Sequence, residues 1–401
     1  MNEKKPEAII VSEMGRDSNW LGTARSLGRK GIPVIKLAPK NWYNSKYCVS
    51  VISPTMAEKP REFINFLIKL GKKRNCEDVL FPASDNALIL MSKNKDILKN
   101  YFEPVASDWD TTEKIVDKSK TYKFAKALSI PVPKTFVPED INEVKHTAKE
   151  IRYPCLLKPA CSHIFGPKFK TKLLKVNSKT ELIKKYKHLS SHGHKLLVQE
   201  EIPGGDDQIY YLGIVCNKNS EPLAVFTFRK LRQYPPHFGV GSFEESVWEP
   251  RIVDLGIRLL KGIKFYGIAG VEFKKDDRTG DFELIEINGR SWTGNYLATF
   301  CGVNLAYIAY KDAIGEKQKP LDNYSCRYEL GVKWAHLSID FLSMIKKRKE
   351  GEITFAKWLH SILIGRKTFA ILSLDDPYPF VSELKNSIDF IKNGMKNVKN
   401  L

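Results

Sequence analysis

The stretch Gly270-Val-Glu-Phe-Lys-Lys-Asp-Asp-Arg-Thr-Gly-Asp-Phe-Glu-Leu-Ile-Glu-Ile-Asn-Gly-Arg290 carries the densest chemical signal in the chain. Two apolar-alternating runs, 267–274 and 282–288, flank Asp276-Asp-Arg-Thr-Gly280, whose residue types favour a turn. They predict a β-hairpin. Side chains alternate between the faces of a strand, so Glu286, Asn288 and Arg290 share one face and Ile285 and Ile287 the other. The hairpin brings Glu272 opposite that polar face. Two carboxylates and an amide oxygen form a hard-oxygen set suited to Mg²⁺, which typically keeps few protein ligands and completes its shell with water and phosphate. A neighbouring Arg290 suits charge developing on a transferred phosphoryl group. The same pattern also fits a solvent-facing polar strand with a surface salt bridge.

Upstream, the chain divides by pattern. Ala8-Ile-Ile-Val11, Pro33-Val-Ile-Lys-Leu37 and Asp78-Val-Leu-Phe81 are compact β-type runs separated by helical periodicity over 21–29 and 63–70. This alternation predicts a parallel sheet with helices on its faces. Ligands of such sheets bind beyond the carboxyl ends of the strands, where Gly15 and the Pro82-Ala-Ser-Asp85 turn fall. Asp110-Thr-Thr-Glu113 reads as a capping box opening a helix to about residue 128. Ile130-Pro-Val-Pro133 forces extended chain. Strands are then expected over 155–158, 173–176, 196–199, 210–215 and 223–228, with helices over 180–189 and 249–262. After Pro320 the chain is basic and helical in pattern.

Lys118 lies in an Asp-Lys pair ahead of Ser129-Ile-Pro131. Lys158 ends an apolar strand and precedes Pro159. Leu196-Leu-Val-Gln-Glu-Glu-Ile-Pro-Gly-Gly-Asp-Asp207 is an apolar strand running into an acidic glycine turn. In this order, together with the final hairpin, these segments resemble the ATP-grasp superfamily over about residues 110–315, with the βαβ start similar to the domain that commonly precedes it. The implied fold is an α/β N-terminal domain with a parallel sheet over 1–108 and an α+β ATP-grasp module over 109–317. That module would hold two α+β subdomains and a hinge near 199–204. A basic, mainly helical C-terminal extension over 318–401 would follow.

The resemblance implies roles. Lys118 and Lys158 are the phosphate-contacting cations, and Lys158 also serves catalysis. Glu200, Glu201 and Ile202 form the hinge whose backbone reads adenine. Asp207 accepts from the ribose, with Asp206 and Gln208 as rivals. Glu272, Glu286 and Asn288 hold Mg²⁺, two ions by the family pattern, with Mn²⁺ as an alternative. Arg290 holds the transferred phosphate and the acyl-phosphate oxyanion. The loop Ala160-Cys-Ser-His-Ile-Phe-Gly166 departs from the glycine-rich family pattern, and with one glycine it is stiffer; Ser162 and His163 are its phosphate contacts. Pro203-Gly-Gly-Asp-Asp207 and this loop look most like ligases of the D-aspartate ligase kind. The implied activity is an ATP- and Mg²⁺-dependent joining of a carboxylate to an amine through an acyl phosphate, releasing ADP and phosphate. A bicarbonate-using carboxylase or carbamoyl-phosphate-type enzyme is one alternative, and a nucleic-acid-binding basic protein is another.

Phe228-Arg-Lys-Leu-Arg-Gln-Tyr-Pro-Pro-His-Phe-Gly-Val-Gly-Ser-Phe-Glu-Glu-Ser246 offers Arg229, Lys230 and Arg232 for a substrate carboxylate, or as a solvated strand end. Gly239-Val-Gly241 suggests a mobile covering loop. Ser291 and Trp292 suit an acceptor pocket, and Trp292 equally suits a core. His163, His237 and His336 receive no proton-transfer role, and Cys161 is read as a small buried residue.

Composition sets the frame. The 401 residues suit two to three domains. With 42% hydrophobic and 11% aromatic residues the chain is not disordered. Seven scattered cysteines without CxxC spacing fit a reducing cytoplasm and exclude a disulfide framework. The net charge of +19 admits nucleic acid, an anionic membrane or small anions as partners. The basic residues are dispersed and no nucleic-acid-binding motif appears, so small-molecule acid and amine substrates are expected and nucleic acid is not. Ile345-Lys-Lys-Arg-Lys349 and the amphipathic stretch to Lys367 suit either peripheral membrane contact or a solvated basic helix capping the module. A homodimer is the default oligomer.

Overall fold

A computed structural model describes residues 5–13, 18–74, 77–161 and 173–385. Gly15, Ser162, His163 and most of the loop after Lys158 lie outside the described residues.

The first sheet has five parallel strands in the order β3-β2-β1-β4-β5. These are β1 (Ala8–Val11), β2 (Val34–Ala38), β3 (Val49–Ile52), β4 (Asp78–Pro82) and β5 (Phe102–Pro104). Every side chain of β1, β2 and β4 is buried, as helices on both faces of a parallel sheet require. The edge strand β3 is exposed or half-buried, and its Val-Ser-Val-Ile carries little signal in sequence.

A four-stranded antiparallel sheet, β6-β9-β7-β8, follows: β6 (Thr135–Phe136), β7 (Cys155–Pro159), β8 (Leu174–Val176) and β9 (Leu196–Glu200). The largest sheet has seven strands in the order β14-β13-β10-β11-β12-β15-β16. Its members are β10 (Ile209–Cys216), β11 (Pro222–Tyr234), β12 (Val240–Val247), β13 (Gly267–Lys275), β14 (Phe282–Asn288), β15 (Lys333–Ala335) and β16 (Lys367–Phe369).

Three expectations need correction. The helix expected from the capping box is two helices, Trp109–Val116 and Lys118–Ala127. The first starts one residue before Asp110, so no box forms; Asp110 pairs with Lys114 at 2.8 Å and Glu113 with Lys120. Asp117 then caps the second helix by accepting from the amides of Ser119 and Lys120. Gly239-Val-Gly241 belongs to a tight β-hairpin rather than to a long loop. β11 runs to Tyr234, and Val240 and Gly241 already pair back with Tyr234 and Gln233 in β12. At Gly239 a Cβ would meet the Tyr234 carbonyl carbon at 2.1 Å, so the glycine serves a tight turn. Finally, the C-terminal region contributes β15 and β16 as well as the helices Leu337–Lys349 and Phe355–Leu363.

That region is pinned by buried charge. Asp340 is fully buried and accepts from Arg232 Nε and Nη2 at 2.9 and 2.7 Å, from Ser242 at 2.8 Å and from Trp358 Nε1 at 2.8 Å. Lys347 reaches Asp206 at 2.9 Å and Glu352 at 2.6 Å. Arg25, also buried, donates to Asp376 and to the carbonyls of Ala370 and Ile371. Part of the basic run is therefore internal. No helix among the described residues is long and apolar enough to cross a membrane.

Removing one member of a buried, fully bonded pair leaves its partner charged and unmatched. Asp340→Ala is expected to cost about 3–5 kcal/mol in urea unfolding. A loss below about 1 kcal/mol, the scale of a surface pair, would contradict this account of the pin.

Candidate active site

The four-stranded and seven-stranded sheets face each other across a cavity of about 310 Å³. Strand alternation supplies its walls. Leu156 and Lys158 project from β7 two residues apart, and Glu200 closes β9. Glu272 on β13 lies in register opposite Glu286 on β14, as the hairpin predicts. Lys118 enters as the first residue of the helix Lys118–Ala127.

Several charged groups there are held by a partner of opposite sign or by a hydrogen bond. Lys118 Nζ lies 3.1 Å from Glu286 Oε2, and Lys230 Nζ lies 3.0 Å from Glu272 Oε1. Asn288 Nδ2 donates to Tyr211 Oη at 2.6 Å and to Glu286 Oε1 at 3.2 Å, which leaves its Oδ1 as the acceptor for a cation. Lys158 Nζ donates to Gln199 Oε1 at 2.6 Å. Burial, and then the charge of Lys118, lower the Lys158 ammonium to about 8. Arg290 Nε donates to Asp85 Oδ1 at 2.7 Å. Burial works against the Arg290 charge, but the charge and hydrogen bond of Asp85 outweigh it and raise its pKa.

Most of the residues expected in a site meet here: Lys118, Lys158, Glu200, Glu201, Ile202, Lys230, Glu272, Glu286, Asn288 and Arg290 all line the cavity. Others do not. Arg229 faces away from its neighbour Lys230 and pairs with Glu245 at 2.9 Å, which Lys333 also holds. Arg232 is committed to Asp340. Ser291 is buried outside the cavity wall, and its carbonyl accepts from Arg290. Asp207 is exposed in a short turn and does not line the cavity. Its rival Asp206 is buried and accepts from Gln233 Nε2 and the His237 amide. Ser162 lies outside the described residues. His336 is buried and its pKa falls to about 4 through desolvation, which fits a packed histidine.

Trp292 lies between the core and the cavity. It stacks on Phe228 with ring centroids 6.0 Å apart, and it also lines the cavity.

Sequence patterns did not single out Asp85 for Arg290, Gln199 for Lys158, or Tyr211 and Glu244. Asp85 had a signal: it ends the Pro82-Ala-Ser-Asp85 turn at the carboxyl end of β4, where a parallel sheet places ligands. Glu244 is 3% exposed, and burial pushes its carboxyl up to about 8.

The donor set fits a nucleoside triphosphate with Mg²⁺. Two lysines and an arginine meet three oxygen ligands, and Leu156, Leu173, Ile202, Ile209 and Ile285 supply apolar surface for a base. Comparisons with known proteins agree. No family model matches the chain. D-aspartate ligase of Enterococcus faecium is 25% identical over 337 residues, covering 79% of each chain. D-alanine–D-alanine ligase of Pseudomonas entomophila is 24% identical over 180 residues, 43% of this chain and 54% of that one. Carbamoyl phosphate synthase large chain of Methanothermobacter thermautotrophicus is 24% identical over 55% of this chain, but only 21% of its own length is spanned.

Among solved structures, biotin carboxylase of Campylobacter jejuni superposes with a TM-score of 0.65 at 17% identity, over 82% of this chain and 74% of that one. L-amino acid ligase of Bacillus licheniformis superposes at 0.60 and 13%, over 80% and 78%. The chain has the ATP-grasp fold. Lys158 stands on the four-stranded sheet across the cavity from the carboxylate hairpin, and Lys118 bonds to that hairpin at Glu286.

Lys158 gives a direct check. Its folded pKa of about 8 lies below the ordinary 10.5, so between those values the unfolded chain binds more protons. Stability therefore rises with pH through that window, and the cost of the buried charge is fully present below pH 8. Lys158→Met is expected to melt higher than the parent at pH 7, to lose that rise, and to bind ATP roughly 10- to 100-fold more weakly. Equal ATP affinity in the two proteins would contradict the assignment.

Proposed function

We propose that the cavity is the active site of an ATP- and Mg²⁺-dependent ligase that joins a carboxylate to an amine and releases ADP and phosphate. The observation that carries this reading is the convergence of Lys118, Lys158 and Arg290 with Glu272, Glu286 and Asn288 in one cavity. The relatives named D-aspartate ligase and D-alanine–D-alanine ligase support the same class of reaction.

In this reading Lys118 and Lys158 meet the phosphates of ATP. The backbone at Glu200, Glu201 and Ile202, at the end of β9, reads the adenine edge. Glu272, Glu286 and Asn288 would hold Mg²⁺, which supplies charge neutralisation on the phosphate oxygens.

The substrate carboxylate attacks the γ-phosphorus, the bond to the bridging oxygen breaks, and ADP leaves. The amine then attacks the acyl carbon of the resulting acyl phosphate. A C–N bond forms and phosphate departs with the acyl oxygen. Arg290 is already aimed by Asp85, so stabilising the transferred phosphoryl group needs no rearrangement of its guanidinium. Lys230, held at Glu272, is the cation nearest the metal ligands on the β11 side and suits the substrate carboxylate. A small-molecule acid and amine suit a cavity of this size.

The test is ADP release over a panel of acids and amines, with hydroxylamine as a generic acceptor. ADP and a hydroxamate are expected only with an acid, Mg²⁺ and an acceptor. ADP formed with bicarbonate alone would instead favour the carboxylase reading. Glu286→Gln is expected to lower turnover by a factor on the order of 10²–10³ while leaving the melting temperature near that of the parent. Full activity in that variant would overturn the metal-site assignment.

A further inference from the structure

Glu244 has no task in the reaction described above, yet it lines the same cavity. On β12 it lies directly opposite Lys230 on β11 and Trp334 on β15. Opposed residues in an antiparallel pair share a face, so Lys230 is its natural counter-ion. Lys230 nevertheless turns to Glu272 at 3.0 Å and to Gln233 at 3.5 Å. Glu244 Oε2 is buried without a hydrogen-bond partner among the described residues.

A buried carboxylate in that condition works against folding. The surroundings nonetheless make room for it. A Cβ on Gly294 would come within 1.8 Å of Glu244 Oε2, and one on Gly241 within 2.1 Å of Oε1. Two glycines from separate segments thus keep space around a carboxyl group whose Oε2 has no hydrogen-bond partner among the described residues.

The sign of the missing partner follows from the other walls. Phosphates and carboxylates are served by Lys118, Lys158, Arg290 and Lys230. The metal ligands Glu272, Glu286 and Asn288 belong to β13 and β14, and Glu244 on β12 adds a lone carboxylate that is no metal site by itself. A small organic cation remains. Tyr211 and Trp292 line the same cavity, and Lys230 Nζ already stands 6.0 Å from the Tyr211 ring centroid, so the aromatic wall accepts positive charge.

We propose that Glu244 binds the protonated amino group of a substrate and sets specificity for molecules that carry one. The inference rests on the ligase reading above. The amino group belongs either to the acid, as in an amino acid, or to the amine that attacks it, and the experiment separates the two.

The test compares the parent with Glu244→Gln, which keeps the shape and removes the charge, on the acid and amine found by the ADP-release panel. The KM for the amino-bearing substrate is expected to rise about tenfold or more, with kcat and the KM for ATP little changed. A rise confined to the acid assigns the amino group to the acid, and a rise confined to the amine assigns it to the nucleophile. A counterpart acid without an amino group, such as succinate in place of aspartate, is expected to be used equally by both proteins. Unchanged KM values for both substrates, or a rise shared by ATP, would overturn the proposal.

The variant is also expected to melt no lower than the parent, because it removes a buried carboxyl that lacks a hydrogen-bond partner among the described residues. Glu244→Met provides a second neutral variant for the same comparison if the glutamine fails to fold. If the parent releases ADP with no pair, the ligase reading fails. Glu244 is then tested by binding alone: amino acids added with Mg²⁺ and a non-hydrolysable ATP analogue are expected to raise the melting temperature of the parent and not of Glu244→Gln. No shift with any amino acid would overturn the inference on its own terms.

Discussion

Glu272 and Glu286 stand opposite each other across the last hairpin, two carboxylates in register at the wall of the cavity. Like charges placed directly across a strand pair repel, and burial makes the repulsion harder to screen. The fold answers with cations from distant parts of the chain. Lys230 arrives from β11 to meet Glu272, and Lys118 arrives from a helix N-terminus to meet Glu286. Asn288 braces Glu286 through its amide and is itself fixed by Tyr211. The site is therefore a balance of charge that an added cation and an added polyanion can both enter. Mg²⁺ would take over the carboxylates, which would free Lys118 for phosphate and Lys230 for the substrate carboxylate.

That balance needs a rigid frame, and the frame reaches both ends of the described chain. Arg290 is steered by Asp85, which sits just beyond β4 of the parallel sheet. The β11–β12 hairpin that carries Lys230 and Glu244 is tied from behind, where Arg232 and Ser242 bind Asp340 of the Leu337–Lys349 helix. The same helix uses Lys347 to hold Asp206, next to the segment that follows β9. Lys347 of the basic C-terminal run thus has a structural use, while Lys346, Arg348 and Lys349 beside it are exposed. Of the +19 excess in the sequence, only Lys118, Lys158, Lys230 and Arg290 face the cavity wall among the residues discussed for substrate charge.

Local patterns in the sequence were enough for the hairpin, because alternation alone assigns Glu286 and Asn288 to one face and the turn composition sets Glu272 opposite. Lys158 was legible for the same reason, as a cation at the end of an apolar run. What could not be read was long-range partnership. Glu244 acquires its meaning from β12 lying beside β11 and from Gly294, fifty residues on in the chain. Arg229 and Lys230 were equivalent in sequence, and only the extension of β11 to Tyr234 puts them on opposite faces. Asp207 lost its place because the turn at Asp206–Gln208 buries the first aspartate and exposes the second. The strands β15 and β16, three residues each, are too short to carry a period.

The central claim is that a substrate carboxylate oxygen is phosphorylated in this cavity before an amine displaces it. Carboxylate labelled with ¹⁸O tests this most directly. Turnover with labelled acid, ATP, Mg²⁺ and amine is expected to move one ¹⁸O from the acid into the released phosphate, with ADP as the nucleotide product. Unlabelled phosphate beside amide product, or label appearing in AMP, would contradict the account.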